Sequence, residues 1–392
     1  MNLLSSLFLF GLFFFLKGCF DRCENKTERI VFVLAVLLKI VGAFGVGFLY
    51  SSYYSGGDTF NYLHDLELLD SQSTDGFFFC EQPRAWFFVR LLYPIYQLSF
   101  SNYWVLAVNL SVMSFAATWF FYQELQRLGI KRWPARLALF FIPSVVFWTS
   151  GLMKETIAYA IINLIFVILL RVYRKATFLG AHLLEFVLLL VVLFYLKYYL
   201  FAPLLLVSIL FFVGHFTKGF LSITQLVWTL SGVAFFVSIT VSLLHPNMNF
   251  SFFLEALFNN YTRTLQHSSP EAIIPLSYDG SLLSFIANMP IALFTGFFRP
   301  LVFESWNWFS FLLSIENLCI LILFGWFLLS TVKVPQFKNQ MFLLLSVGFI
   351  VFLGIVLPIA SPNYGSLVRY RVAYYPLFVL LVLQNFEYKK RV

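Results

Sequence analysis

Residues 30–58 read IVFVLAVLLKIVGAFGVGFLYSSYYSGGD. As an α-helix, the apolar run from Ile30 to Tyr54 rises about 37 Å at 1.5 Å per residue, enough to cross about 30 Å of hydrocarbon. It carries one charge, Lys39, and breaks into Ser55-Gly56-Gly57-Asp58, which sets a carboxylate at the mouth of the span. A membrane helix opening onto a polar turn is the unit from which the remaining sequence is read.

Such apolar runs recur along all 392 residues. The chain is 60% hydrophobic with a mean hydropathy of +0.85, and it is only 11% charged, against about 25% for soluble domains. A water-soluble globule is excluded. The expected fold class is therefore all-α: a polytopic integral membrane bundle, one domain over 1–392, with spans at 3–19, 30–54, 102–122, 136–150, 155–171, 178–197, 199–215, 220–244, 309–331, 341–359 and 373–387, about 11 transmembrane helices. The 52 Phe fill lipid-facing positions that Leu would fill as well, and no function is read from them.

The net charge of +8 is read first as topology. The connections 17–29, 123–136, 171–177 and 332–340, Lys218 and the tail at Lys389, Lys390 and Arg391 hold most of the basic residues, and all fall on one side. By the positive-inside rule that side is cytoplasmic, with the N-terminus outside and the C-terminus cytoplasmic. Two long external loops follow, 55–101 and 245–308. Each contains an apolar but interrupted segment, 84–100 and 285–303, expected as an interfacial or re-entrant helix roofing a cavity. No leader with a basic n-region precedes Leu3, so 3–19 is read as an anchor. Cys19 and Cys23 form a C-x3-C without a second pair, too little for a metal site, so Cys19, Cys23, Cys80 and Cys319 are read as unpaired thiols and no metal ligands are assigned. No internal repeat of the transporter kind is visible.

Four polar constellations then fall on the external side. Gly57-Asp58 lies on a glycine turn, with Tyr62 four residues on; Asp58 reads either as a solvated loop acid or as a fixed carboxylate able to act as a base. Pro143 to Glu155 forms a tight corner in the interfacial zone, where Lys154 and Glu155 either snorkel and cap the next helix or offer Lys154 to an anionic ligand. Arg299-Pro300 with Glu304, followed by Glu316-Asn317, sets a phosphate-binding type of side chain against a proline break. Arg369-Tyr370-Arg371 concentrates positive charge outside, either as interfacial anchors or as a ligand site. The catalytic candidates are Asp58 and Glu304; the phosphate-binding candidates are Lys154, Arg299, Arg369 and Arg371; Gly57, Tyr62, Glu155, Lys197, Glu316 and Tyr370 support them. Cations beside a carboxylate at an outer membrane face suit transfer from a lipid-linked phosphate or pyrophosphate to an acceptor hydroxyl.

The motifs Gly57-Asp58, Pro143 to Glu155, Arg299-Pro300 to Glu304 and Gly365 to Arg371 resemble those of multispanning proteins encoded with bacterial polysaccharide genes. The arrangement is similar to the GT-C class of polyprenyl-phosphate-sugar-dependent glycosyltransferases and to O-antigen and exopolysaccharide polymerases. From the first class the resemblance carries over Asp58 as base, and from the second the external Arg299, Arg369 and Arg371. It implies glycosyl transfer or glycan polymerisation from a polyprenyl-linked donor to a glycan acceptor, in cell-envelope polysaccharide biosynthesis at the bacterial inner membrane. It implies no nucleic-acid partner and no certain cofactor, a divalent cation being compatible. The absence of a soluble outer domain favours the polymerase side. The competing class is a transporter or flippase of a lipid-linked glycan, for which charges along the midplane would be expected. A protease would need Cys80 to meet His64 or His267, and no recognised spacing links them.

Overall fold

The computed structural model describes residues 2–53, 57–71, 83–175, 180–216, 250–305, 307–329 and 340–384, with isolated positions between 224 and 239. Among the described residues every regular element is helical, and Ile273 and Asn363 make an isolated antiparallel bridge. Among the described residues, six helices are long and apolar enough to cross a membrane, or seven if one bent pair counts as a single span, so a count of about 11 is not confirmed. The expected span 220–244, Lys218, the connection 332–340, the basic tail, Cys80, Ser55 and Gly56 lie outside the described residues or on those isolated positions.

The described residues divide into two compact units: 1–127 with 135–201, and 128–134 with 202–392. The first begins with α1 (Asn2–Asp21) and α2 (Lys26–Phe48). Asn25 caps α2 by accepting from the Glu28 N–H at 2.9 Å, while the Glu28 carboxylate accepts from the Glu24 N–H at 2.8 Å; both bonds satisfy N–H groups at the helix start. A π turn, Leu49–Tyr53, ends the span. Then come α3 (Asp58–Ser71), α4 (Pro83–Leu98), α5 (Tyr103–Arg127), α6 (Arg132–Phe140), α7 (Pro143–Trp148) and α8 (Lys154–Lys175).

Helices α5 and α8 form the centre of this unit and α1 its periphery: 72% of the apolar window of α8 is buried against 11% of that of α1. Leu3, Leu7, Phe10 and Phe14 on α1 are exposed, the surface expected where lipid is the solvent. Phe32, Phe115, Trp119, Tyr122 and Phe140 pack edge-on and stacked around the α2–α5 contact.

The expected span 136–150 is two short helices. Ile142, extended at φ −75°, ψ 115°, precedes Pro143, and the proline ring disfavours helical backbone in the residue before it. The expected spans 178–197 and 199–215 correspond to α9 (Gly180–Phe216), two helical stretches that meet across a kink at Lys197, where φ −151°, ψ 78° leaves the helical region. The segment expected to be interfacial at 84–100 is the helix α4.

In the second unit, α10 (Phe250–His267) is followed by an irregular stretch that returns along it. The Tyr261 hydroxyl donates to the Leu276 carbonyl at 2.5 Å and the Tyr278 hydroxyl to the Leu254 carbonyl at 3.1 Å. The segment expected at 285–303 is α11 (Leu282–Phe298). It packs on α13 (Gln340–Ala360), and α12 (Trp308–Leu329) lies between them in sequence. Gly296 permits the close α11–α13 approach, since a Cβ there would collide with the Gly354 carbonyl oxygen. The chain ends its described part in α14 (Tyr364–Tyr370) and α15 (Tyr375–Leu383), bent by 68°.

Candidate functional site

The first unit gathers one group of candidates. Gly57 has φ +134°, a region that favours glycine, and a Cβ there would meet the Tyr50 ring at 2.7 Å. Its carbonyl accepts from the Phe60 and Asn61 N–H groups, so the turn starts α3 with Asp58 as its first residue. Asp58 is half-buried. The helix is packed down by Thr59, whose hydroxyl lies 3.1 Å from that of Tyr103, by Tyr62 edge-on against Phe88, and by fully buried Leu66. Asp58 thus stands on a fixed helix end, one turn from Tyr62 and on the same face.

The corner expected in the interfacial zone is sunk into the bundle. Thr149, Ser150, Gly151, Leu152 and Met153 are all buried. The Gly151 N–H donates to Ser111 Oγ at 2.7 Å, and Ser111 lies eight residues into α5, about 12 Å along its axis. Gly42 on α2 receives Ser150, whose Oγ would lie 2.9 Å from a Cβ there, and Gly151, at φ +77°, faces Val46. Small residues on α2 therefore let the corner enter.

Lys154 opens α8 directly after this corner, with its Nζ 5.1 Å from the centre of the Tyr62 ring and 6.0 Å from that of Phe88, a cation–π arrangement. Beside it, Lys197 donates to Glu155 Oε1 at 2.8 Å and to the Tyr199 hydroxyl at 3.0 Å. Both members of the ion pair are nearly inaccessible, at 6% and 3%. The α9 break falls at Lys197 itself. Lys154 thereby meets Tyr62, on the helix that carries Asp58, while its chain neighbour Glu155 pairs with Lys197.

The second unit holds the other candidates, and they are turned to the protein's own groups. The Arg299 Nε donates to both Glu304 carboxylate oxygens, at 2.8 and 3.0 Å, and its Nη2 also meets Oε1. The Leu301 N–H donates to Glu304 Oε2 at 2.8 Å, and the Tyr364 ring centre lies 5.6 Å from the guanidinium. Burial pushes the Glu304 carboxyl up, but the Arg299 guanidinium and the Leu301 N–H outweigh it and hold the group below its ordinary value. Arg371 is fully buried, with Nη2 2.7 Å from Asn317 Oδ1 and 3.7 Å from Glu316, Nη1 3.3 Å from the Arg299 carbonyl, and the Tyr375 ring at 4.2 Å. Asn317 in turn donates to the Pro300 carbonyl at 2.9 Å. Glu316, a residue inside the apolar run of α12, has its side chain only 10% accessible and turned to Arg371. Arg369 lies 5.5 Å from the Tyr370 ring centre and is half-buried.

One buried cation is newly prominent. Lys39, in the middle of α2, donates to the Thr149 carbonyl at 2.6 Å, to Thr149 Oγ1 at 2.5 Å and to Ser114 Oγ at 3.2 Å. A lysine inside an apolar run was the available signal, but its partners are far away in sequence. Among the described residues no His, Cys, Asp or Glu side chains form a metal-holding group of three, and Cys23 Sγ simply contacts the Cys19 carbonyl at 3.6 Å. No family model, curated protein or solved structure matches this chain.

Proposed function

We propose that the protein is a membrane-embedded enzyme of glycosyl transfer or glycan polymerisation, taking a polyprenyl phosphate- or pyrophosphate-linked donor at the external face of a bacterial cytoplasmic membrane. The observation that carries the reading is the sunken corner at 149–153, which delivers Lys154 to the Tyr62 ring on the packed helix that begins at Asp58, with the buried Glu155–Lys197 pair following it in the chain. Lys154, held over the Tyr62 and Phe88 rings at the start of α8, meets the donor phosphate, since a lysine ammonium is a compact point charge suited to an anionic ligand. Asp58 removes the proton from the acceptor hydroxyl as the hydroxyl attacks the sugar carbon, and the lipid phosphate leaves with the bonding electrons. Arg299 and Arg371, engaged with Glu304, Asn317 and backbone carbonyls, hold the α11–α12 connection in place.

The test is the lipid-linked species that accumulates in cells lacking the protein and in cells carrying Asp58→Asn or Glu304→Gln. Asp58→Asn is expected to cut transfer by about 10²- to 10⁴-fold, the usual worth of a general base, while the protein stays in the membrane. Wild-type turnover in Asp58→Asn with loss in Glu304→Gln would move the base to the second unit. A second reading, transport of a lipid-linked glycan, is favoured by Lys39, a buried charge deep in α2 that faces neutral partners among the described residues. A transporter would leave a completed lipid-linked glycan on the inner leaflet, whereas a transferase or polymerase leaves unextended units outside.

A further inference from the structure

The opposite end of the α5–α8 pair carries a group of charges that the reading above does not use. Glu124, in the last turn of α5, is 1% exposed. Its Oε1 accepts from Arg127 Nη1 at 2.5 Å and from Arg171 Nε at 3.0 Å, and its Oε2 accepts from Arg174 Nη2 at 3.1 Å. Arg127 lies one turn along α5, while Arg171 and Arg174 share a face of α8 by their spacing of three. Along α8 the group lies about 26 Å from Lys154, at 1.5 Å per residue.

One buried carboxylate needs one arginine. Here three converge, so the group keeps a formal surplus of two positive charges, and the guanidinium groups repel one another at close range. Each has five N–H donors and spends one on Glu124. The arginines remain accessible, at 50% for Arg127, 36% for Arg171 and 34% for Arg174, so their remaining donors reach the surface. A topology signal alone would leave these side chains spread and snorkelling. A buried anion that gathers three planar forks at the end of two apolar spans is a preorganised receptor for a tetrahedral anion at headgroup depth.

We propose that Glu124, Arg127, Arg171 and Arg174 form a binding site for a phosphate-bearing anion, either an anionic phospholipid headgroup or soluble phosphate, separate from the glycosyl-transfer site. Glu124 positions the arginines, and they make the contacts. The site lies at the other end of α8, so its failure leaves the functional reading untouched.

The test uses the purified, delipidated full chain in detergent, with phosphatidylglycerol, phosphatidylcholine and inorganic phosphate as probes and native mass spectrometry as the readout. Wild type is expected to retain one more phosphatidylglycerol than phosphatidylcholine. The preference is expected to fall about 5-fold in Arg127→Gln and about 30-fold in the Arg171→Gln/Arg174→Gln double variant, as one and two charges near an anionic headgroup imply. Thermal unfolding checks that each variant is folded. If the double variant does not fold, Arg127→Gln decides alone, because half-exposed Arg127 can be lost with two arginines still on Glu124. Wild-type binding of millimolar phosphate without a lipid preference, lost in the variants, identifies soluble phosphate as the ligand. Equal retention of every probe by wild type and variants overturns the proposal.

Discussion

The Glu155–Lys197 pair gives the sharpest measurement of how deep the α8 corner lies. At 2.8 Å, with 6% and 3% of the side chains accessible, it is a buried ion pair with little solvent to replace a lost partner. Glu155→Gln keeps the shape and a hydrogen-bond acceptor but removes the counter-charge from the ammonium; the Tyr199 hydroxyl that also accepts from Lys197 is neutral. Breaking one side of such a pair costs about 3–5 kcal/mol, which is about 10²- to 10⁴-fold in the unfolding equilibrium. Replacing both partners by apolar residues, Glu155→Leu with Lys197→Met, removes the two desolvated charges together and is expected to leave stability within about 1 kcal/mol of wild type, or above it. Denaturant unfolding in detergent micelles of wild type, both single variants and the double variant measures the coupling. A cost below about 1 kcal/mol for Glu155→Gln, or a double variant as unstable as the sum of the singles, would refute the burial argument. Transfer activity adds a second readout: if Lys197 also serves the donor phosphate, the double variant recovers stability without recovering activity.

Acidification should loosen the second unit at the α11–α12 connection. The Glu304 carboxyl titrates below its ordinary value of 4.5 in the fold, since Arg299 and the Leu301 N–H outweigh burial; its contribution is therefore complete above that value and is lost as pH falls through the lower folded value. Glu304→Gln is expected to flatten acid unfolding monitored by tryptophan fluorescence below pH 4.5, and an unchanged profile would assign the transition to other carboxylates. Gly296→Ala is expected to destabilise the α11–α13 contact by about 1–3 kcal/mol, the usual cost of overpacking, because the new methyl collides with the Gly354 carbonyl oxygen and presses the Tyr374 hydroxyl at 3.0 Å; thermal unfolding that matches wild type would show that the two helices can separate at no cost. A reporter fused after Arg391 is expected in the cytoplasm and one inserted near Ser268 outside, as the distribution of basic connections requires; an external C-terminal reporter would reverse every assignment of side.

Sequence alone determined that the chain is helical and built for lipid, because an apolar run of 20 or more residues is a local property that needs no partner to be recognised. The spans at 3–19, 30–54, 102–122, 155–171 and 309–331 each correspond to a long apolar helix. The Gly57-Asp58 turn was legible for the same reason, since a positive φ favours glycine; Arg299 and Glu304 were singled out as separate phosphate-binding and catalytic candidates, and their pairing with each other appears only in the structure. Depth and partnership were decided by tertiary structure. The kink at Lys197 falls where two expected spans meet, but its depth and its partner Glu155 come from packing, and Pro143 split another expected span into two short helices. Nothing near Pro143 to Glu155 states that its corner lies about 12 Å below the start of α5, since that follows from Ser111 and from glycines on α2. Lys39 meets Thr149 across 110 positions, Glu124 gathers Arg171 and Arg174 across 47 and 50, and Arg371 finds Asn317 across 54. Periodicity assigns each of these residues to a helix face; only the packing of the helices selects which face meets which, and so whether a buried charge ends beside an opposite charge, an amide or a carbonyl.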